Sequence, residues 1–188
     1  MGRGLIIVIL LFVLGGGRWL ASYAVEYQWW QEMGQVETWF QMLSYGFVPV
    51  VLAALIGFAV LWVAHARGMK HAGTGLGEHK TYAKLATAAL FVVGLLLALA
   101  TVDSWTVVRW AGGNGLDTGA YRDPVFGKPL AFYFFELPFY SLLLRFVLGV
   151  SVLTAIVHWL TARGWTLKGQ AADWREGGIP QIDVRDLD

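Results

Sequence analysis

The side chains best suited to binding chemistry in this 188-residue sequence are histidines, because the chain contains no cysteine. His65 and His158 each stand near the end of a long apolar run. Two imidazoles at matched depth on facing helices could hold a haem, and one alone could ligate the magnesium of a chlorophyll-type pigment. The simpler interpretation, which we favour, is that each histidine lies at a membrane interface and caps a helix or faces lipid headgroups.

A metal ion could also be held by His71 and His79 together with His65. These two histidines lie in a glycine-rich connection with a single acid, Glu78, so no rigid scaffold fixes the geometry that a metal site needs. The same connection contains GTGLGEHK, which lacks the spacing of a phosphate-binding loop and has no strand before it. We therefore predict neither a metal site nor nucleotide binding there.

Two arginines, Arg18 and Arg145, are the basic residues nearest to the interior of apolar runs. A buried charge in a membrane is costly and is usually paired, and Glu26, Asp103 and Glu136 are predicted at similar depth. The interpretation that we favour is that both arginines extend their charged ends to the outer interface. Ion pairing with those acids is the alternative, and a transport role is a third.

No arrangement of nucleophile, base and acid stands out in the sequence. Cysteine chemistry is excluded, and neither a paired-carboxylate site nor a metalloprotease motif rises above chance. We therefore expect the chain not to be an enzyme and expect no nucleic acid among its partners.

The elements that must position these residues are predicted from hydropathy. The chain is 57% hydrophobic and only 14% charged, whereas a soluble domain carries about 25% charged residues. The apolar residues lie in blocks long enough to cross about 30 Å of hydrocarbon at 1.5 Å per residue. The predicted spans cover residues 5–24, 43–64, 85–102 and 137–162. A signal peptide is the rival interpretation of the first block.

The segments between the predicted spans are polar or interfacial. Residues 26–41 are predicted as an interfacial loop or short amphipathic helix, residues 66–84 as a polar connection, and residues 104–122 largely as a loop. The predicted organisation is a membrane domain at 1–164 and a polar cytoplasmic tail at 165–188. Lys and Arg concentrate in the second connection and the tail, which predicts that both termini are cytoplasmic.

The densest aromatic stretch is DPVFGKPLAFYFFELPFY, residues 123–140. Pro124 and Pro129 interrupt regular structure, because proline fixes its own φ and disfavours helix at the residue before it. The stretch is too aromatic for water and too interrupted to cross a bilayer, so we predict an interfacial aromatic elbow before the fourth span. Its singled-out structural or interface residues are Asp123, Phe132, Tyr133, Glu136 and Pro138. The predicted fold is all-α: an integral-membrane bundle of four transmembrane helices with this elbow before the fourth.

This stretch resembles the signature of uncharacterised protein family 0182, a group of bacterial integral-membrane proteins: DP-x-FG-x-D-x-x-FY-x-F-x-LP. Pro129 stands where the family usually has an acid, and Ala131 stands where it usually has glycine. The run WWQEMGQVETWF, residues 29–40, is similar to the family's stretch after its first span. The resemblance implies a membrane topology, no particular activity, and longer relatives whose amino-terminal membrane part this chain matches. The matching residues are Asp123, Pro124, Phe126, Gly127, Phe132, Tyr133, Phe135, Leu137 and Pro138.

Our leading hypothesis is a non-catalytic accessory or scaffold subunit of a larger integral-membrane assembly in the bacterial inner membrane, cytoplasmic or intracytoplasmic. The expected partners are other membrane subunits and lipids. Within this class we guess a bioenergetic complex such as a photosynthetic reaction centre or antenna, with contacts to lipid, chlorophyll-type pigment or haem. One alternative is a small transporter or channel that uses Arg18 and Arg145. Another is a haem-binding electron carrier built on His65 and His158.

Overall fold

A computed structural model describes residues 2–113, 116 and 121–175, with side chains described at 16–113, 116 and 121–171. Within these ranges the chain is helical and forms no strand, although an isolated antiparallel bridge joins Arg122 and Pro129. A short π-helical turn, Phe132–Glu136, leads directly into the last helix. The α-helices of the described chain are α1 (Gly2–Glu32), α2 (Val36–His71), α3 (Lys80–Thr101), α4 (Ser104–Gly113) and α5 (Leu137–Arg175).

The chain divides into two compact units, Met1–Gly46 and Phe47–Asp188. In the first unit the predicted loop or short helix at 26–41 is instead part of two long helices joined by a tight turn. Gly34 takes φ +68° there, and its amide donates to the Gln31 carbonyl at 3.0 Å. Glycine adopts this left-handed conformation without steric cost, so three residues suffice to reverse the chain.

In the second unit α2 and α3 meet through small residues. A Cβ placed on Gly94 would lie 2.8 Å from the backbone nitrogen of Phe58. Ala54 and Ala98 beside this contact are 3% and 0% exposed. Small side chains let helix backbones approach closely where lipid supplies no hydrophobic driving force.

Three helical segments are long and apolar enough to cross a membrane: Val36–His71, Lys80–Thr101 and Phe132–Ala171. Only 11 to 22% of their most apolar windows is buried against the rest of the chain. The prediction of membrane helices is therefore supported for the second, third and fourth spans. The predicted first span, 5–24, falls in α1, but side chains 2–15 lie outside the described ones. The count of four spans stays a prediction.

Several predicted boundaries are displaced because helices continue beyond the apolar runs. The connection predicted at residues 66–84 is only eight residues long in the structure, because α2 ends at His71 and α3 begins at Lys80. Helix α5 continues to Arg175, so the boundary predicted at 164/165 does not coincide with a helix end. Residues 176–188 of the predicted tail lie outside the described residues. Polar residues with good helix propensity prolong a helix that hydropathy alone would end.

Candidate functional site

The aromatic elbow begins with a tight turn that Asp123 organises. The Asp123 amide donates to the Lys128 carbonyl at 2.9 Å, and the Gly127 amide donates to the Asp123 carbonyl at 2.8 Å. Gly127 takes φ +65°, a conformation that favours glycine. Arg122 also donates from its guanidinium to the Gly127 carbonyl at 3.3 Å. The turn is therefore held by its own backbone bonds.

The Asp123 carboxylate joins this turn to the helix that follows. It accepts hydrogen bonds from the Tyr133 hydroxyl at 2.6 Å, the Phe126 amide at 2.9 Å and the Val125 amide at 3.3 Å. The hydrogen bond from Tyr133, followed by those from the two amides, lowers the pKa of the Asp123 carboxyl. A carboxylate with three donors is well suited to holding a loop in place, and we assign Asp123 and Tyr133 this structural role.

After this turn, the rest of the elbow is helical. The chain is helical from Leu130 onward, and Phe132–Glu136 forms the π-helical turn. Its hydrogen bond runs from the Leu137 amide to the Phe132 carbonyl. Pro138, next along the chain, has no amide hydrogen for the α-helical bond to Phe134. A widened turn at such a position accommodates the missing hydrogen bond, and the chain stays helical through Pro138.

Helix α4 packs on the elbow through two close contacts. The rings of Trp110 and Phe139 stack with centroids 4.0 Å apart and planes 8° apart. A Cβ placed on Gly113 would lie 2.5 Å from the Phe135 ring, so only glycine leaves room there. On the other side of the turn, the Lys128 ammonium lies 5.2 Å from the centroid of Phe132, a favourable cation–π distance.

Arg18 and Arg145, the arginines nearest to the interior of the predicted spans, are both exposed. Arg18 lies on α1 in the first unit, and Arg145 lies on α5 in the second. The single ion pair found within the described ranges joins Arg109 to Asp103 at 4.0 Å. Glu136 is half-buried and accepts a long, 3.4 Å hydrogen bond from the Tyr140 hydroxyl. Within the second unit no described ion pair joins Arg145 to Asp103 or Glu136, and pairing of either arginine with the predicted acids stays a prediction.

The histidines gather where α2, α3 and α5 meet. His65 is 4% exposed, and its Nδ1 lies 2.9 Å from the Thr161 hydroxyl. Its ring also lies 5.6 Å from that of Tyr82. Its Nε2 is buried without a hydrogen-bond partner among the described residues. A Cβ on Gly68 would lie 2.9 Å from both the His158 carbonyl and the Thr161 Cβ, so glycine permits this close approach.

His158 lies one helical turn before Thr161 and on the same side of α5. Its Nδ1 lies 3.3 Å from the Ala64 carbonyl, so this nitrogen donates, because a carbonyl only accepts. Its ring lies 6.2 Å from that of His71. His65 on α2 and His158 on α5 thus lie at the same crossing of these two helices. Haem or pigment ligation by this pair stays a prediction, and no group of three metal-ligating residues occurs in the part of the chain described here.

An aromatic and cationic cluster beside the histidines was not anticipated from the sequence. His79 stacks on Trp165 with ring centroids 4.4 Å apart, Tyr82 meets the same ring edge-on at 5.2 Å, and the Lys168 ammonium lies 4.2 Å from its centroid. The signal available was the spacing of Thr161, Trp165 and Lys168, which places them on one face of a helix that continues past the apolar run.

In its described part the chain is helical, with three helices able to cross a membrane and much of their apolar surface not covered by the chain itself. The chain belongs to uncharacterised protein family UPF0182, whose sequence profile matches residues 3–177. The family resemblance of residues 123–140 is thereby confirmed.

Relatives of the same family name occur in bacteria and an archaeon. A UPF0182 protein of Solibacter usitatus is 51% identical over 165 residues, which cover 87% of this chain and 18% of that protein. One from Mycobacterium leprae is 30% identical over 164 residues, covering 81% and 16%, and one from Methanospirillum hungatei is 27% identical over 152 residues, covering 80% and 16%. The chain therefore spans less than a fifth of the length of these relatives. No solved structure is significantly similar to it.

Proposed function

We propose that this chain is a non-catalytic accessory or scaffold component that packs against further membrane helices in a larger integral-membrane assembly. The observation that carries the proposal is the exposed position of Arg145 on α5. Its helical neighbours Leu144 and Leu148 are 69% and 66% exposed, so the arginine interrupts an otherwise apolar outer surface.

The depth of Arg145 explains why it calls for a partner. It lies five residues after Tyr140, the end of the elbow, which is about 7.5 Å along an α-helix. An arginine at the middle of a membrane helix costs about 2.5–3.5 kcal/mol on insertion scales, and the cost is smaller toward the interface. A carboxylate or a set of carbonyls on a neighbouring helix removes most of that cost, and the described residues supply no such ion pair.

Two further observations support an assembly. Most of the apolar surface of the three membrane-competent segments is uncovered, and it needs either lipid or other helices. The relatives are also much longer than this chain, so the same helices there have many additional residues to pack against. We propose in addition that α1 forms a first span, that both termini are cytoplasmic, and that the membrane is the bacterial inner membrane.

The test is purification from native membranes in mild detergent through a carboxy-terminal tag, followed by mass spectrometry of co-purifying chains. We expect a stoichiometric set of membrane subunits with the wild-type chain, and loss of these subunits with Arg145→Leu. Arg145→Lys keeps the charge and is expected to retain them. Arg163→Gln, on the same helix near the end of its apolar run, is the matched control. Recovery of the wild-type chain as a lone monomer would contradict the proposal.

The narrower proposal of a photosynthetic or other bioenergetic assembly is tested on the same sample by its absorption spectrum. Pigment or haem bands that co-purify with the subunits would support it, and a colourless assembly would remove it. A Soret band lost in both His65→Leu and His158→Leu would instead favour the electron-carrier alternative.

The transporter alternative receives less support from the packing. The buried residues along α2 and α3 within the spans are mainly small or apolar, including Ala54, Gly57, Leu61, Gly94 and Ala98. A polar path through the bilayer would need hydrophilic side chains at those positions. Flux in reconstituted vesicles that is abolished by Arg145→Ala would restore this alternative.

A further inference from the structure

An elongated groove of about 550 Å³ runs along the surface between α2 and α5. Its α2 wall has residues spaced by a helical turn, from Ala59 through Val63 to Arg67, so they follow one face over about 12 Å. The groove is apolar along most of its length and cationic at one end. The lining residues are Ala59, Val60, Val63, Ala64, Arg67, Thr154, Ala155 and His158.

Small residues create this groove. Ala59 and Ala64 on α2 and Ala155 on α5 leave space where larger side chains would close the gap. Val60 and Val63 are 38% and 43% exposed, so the apolar lining is open to whatever surrounds the helices. In a bilayer that surrounding medium is the acyl chains of lipids.

The polar end of the groove has an uncompensated positive charge. Arg67 is exposed, and the ion pair present in the described ranges does not involve it. Lys70 and His71 follow on α2, and His71 lies against His158. Arginine binds phosphate through parallel N–H···O bonds, and basic residues at the end of a membrane helix attract anionic headgroups.

We propose that this groove binds one anionic phospholipid. The phosphate lies at Arg67, and one acyl chain follows the apolar lining toward Ala59. The order of charge and apolar surface along the groove matches the order of phosphate and chain in such a lipid. This assignment rests on the membrane placement of α2 and α5 in the proposed function, but not on any partner subunit.

The experiment uses the 188-residue chain in non-ionic detergent, titrated with phosphatidylglycerol or phosphatidylcholine and followed by native mass spectrometry. We expect one phosphatidylglycerol to be retained preferentially. Arg67→Gln should weaken its binding roughly fivefold or more, the change that corresponds to about 1 kcal/mol for one basic residue. Arg67→Lys should retain most of the affinity.

Matched variants separate a specific groove from a generally basic or apolar surface. Arg163→Gln removes a cation that does not line the groove and should leave binding unchanged. Ala155→Leu fills the groove and should weaken both lipids, whereas Ser151→Leu, one turn earlier on the exposed face, should not. Circular dichroism of each variant shows that the helices are intact.

Three outcomes would overturn the assignment. Equal retention of the two lipids by the wild-type chain removes the role of Arg67. If Arg163→Gln weakens phosphatidylglycerol binding as much as Arg67→Gln does, general surface charge explains the effect. The chain could instead form a dimer that retains no phosphatidylglycerol and that Ala155→Leu dissociates. That result would mean that a helix of a second copy occupies the groove. Recovery of the chain from native membranes as a lone monomer that retains phosphatidylglycerol contradicts only the accessory-subunit proposal and leaves the lipid site standing.

Discussion

The hydroxyl of Tyr133 donates to the carboxylate of Asp123 at 2.6 Å, across ten residues of chain. This bond connects the turn at the start of the aromatic elbow to the π-helical turn that precedes α5. Asp123 also accepts from two amides inside the turn, so one side chain fixes both the shape of the turn and its position on the helix. Both residues belong to the signature stretch, and their hydrogen bond holds its exposed turn against its aromatic helix.

The first prediction concerns the pH dependence of this connection. The hydrogen bonds from Tyr133 and the turn amides lower the pKa of Asp123 below its ordinary value of 3.8. Stability from the ionised carboxylate is therefore complete above that ordinary value and is lost as the pH falls through the lower, folded-state pKa. The midpoint of thermal unfolding should be higher for the wild-type chain than for Asp123→Asn near neutral pH.

Acidification should narrow the difference between these two chains, with the change confined to pH below about 4. Melting curves from about pH 7 to about pH 3 measure it. The unfolding midpoint of Tyr133→Phe should be closer than that of the wild-type chain to the midpoint of Asp123→Asn at every pH. The reason is that this variant lacks the hydrogen bond that contributes most to lowering the pKa of Asp123. A difference between wild type and Asp123→Asn that stays constant down to the lowest pH would show that the carboxylate is not the group responsible.

The second prediction concerns the crossing of α2 and α3. Gly94→Ala places a methyl group 2.8 Å from the Phe58 backbone nitrogen and 3.2 Å from the Ala54 carbonyl. Backbone cannot move aside as a flexible side chain can, so the helices must separate, at a cost of about 1–3 kcal/mol. Gly164→Ala is the matched control, because nothing lies within 4 Å of its added methyl and alanine favours helix. Unfolding in a denaturing detergent should be earlier for the first variant and unchanged or later for the second.

The third prediction concerns α4 and the elbow. Gly113→Ala directs a methyl group 2.5 Å from the Phe135 ring and should disturb the neighbouring stack of Trp110 on Phe139. We expect a red shift of tryptophan fluorescence and greater exposure of α4 to protease. Gly112→Ala meets no atom within 4 Å and should do neither. Phe135→Leu should restore the packing of Gly113→Ala in the double variant, and the absence of such rescue would mean that the contact is not the cause.

The helices and their apolar surfaces could be predicted from hydropathy, since 18 or more apolar residues specify a span wherever they pack. Small residues four apart occur on α2 and α3, where Gly57 lies opposite Gly94. The same spacing on α5, Ser151 with Ala155, is exposed instead. Such a pattern permits close packing but does not select the partner, because the partner's position depends on residues distant in the sequence.

The elbow and the histidine cluster show the same limit. Pro124 and Pro129 predicted interruptions of regular structure, and both lie outside helix, before the helical part of the elbow begins at Leu130. The π-helical turn that accommodates the missing amide hydrogen of Pro138 was not predicted. His65 and His158 were recognised as candidates from the sequence, whereas Thr161 was not. Thr161 matters because α2 and α5 cross there and bring it to His65, which is 96 residues away in the sequence. No local sequence pattern predicts a contact over that separation.

The last prediction concerns this buried pair. Thr161→Val keeps the shape of the side chain that packs against Gly68 but removes the hydroxyl that lies 2.9 Å from His65 Nδ1. Both ring nitrogens of His65 would then lack a protein partner, since Nε2 has none among the described residues. Leaving a buried polar atom unpaired costs about 1–3 kcal/mol, so unfolding should occur earlier. Thr166→Val is the control, because that hydroxyl donates only to the Ala162 carbonyl of its own helix. Adding His65→Leu to Thr161→Val should recover much of the lost stability, since an apolar pair leaves no buried polar atom unsatisfied. If the double variant is no more stable than Thr161→Val alone, the loss of stability is due to packing rather than to the hydrogen bond.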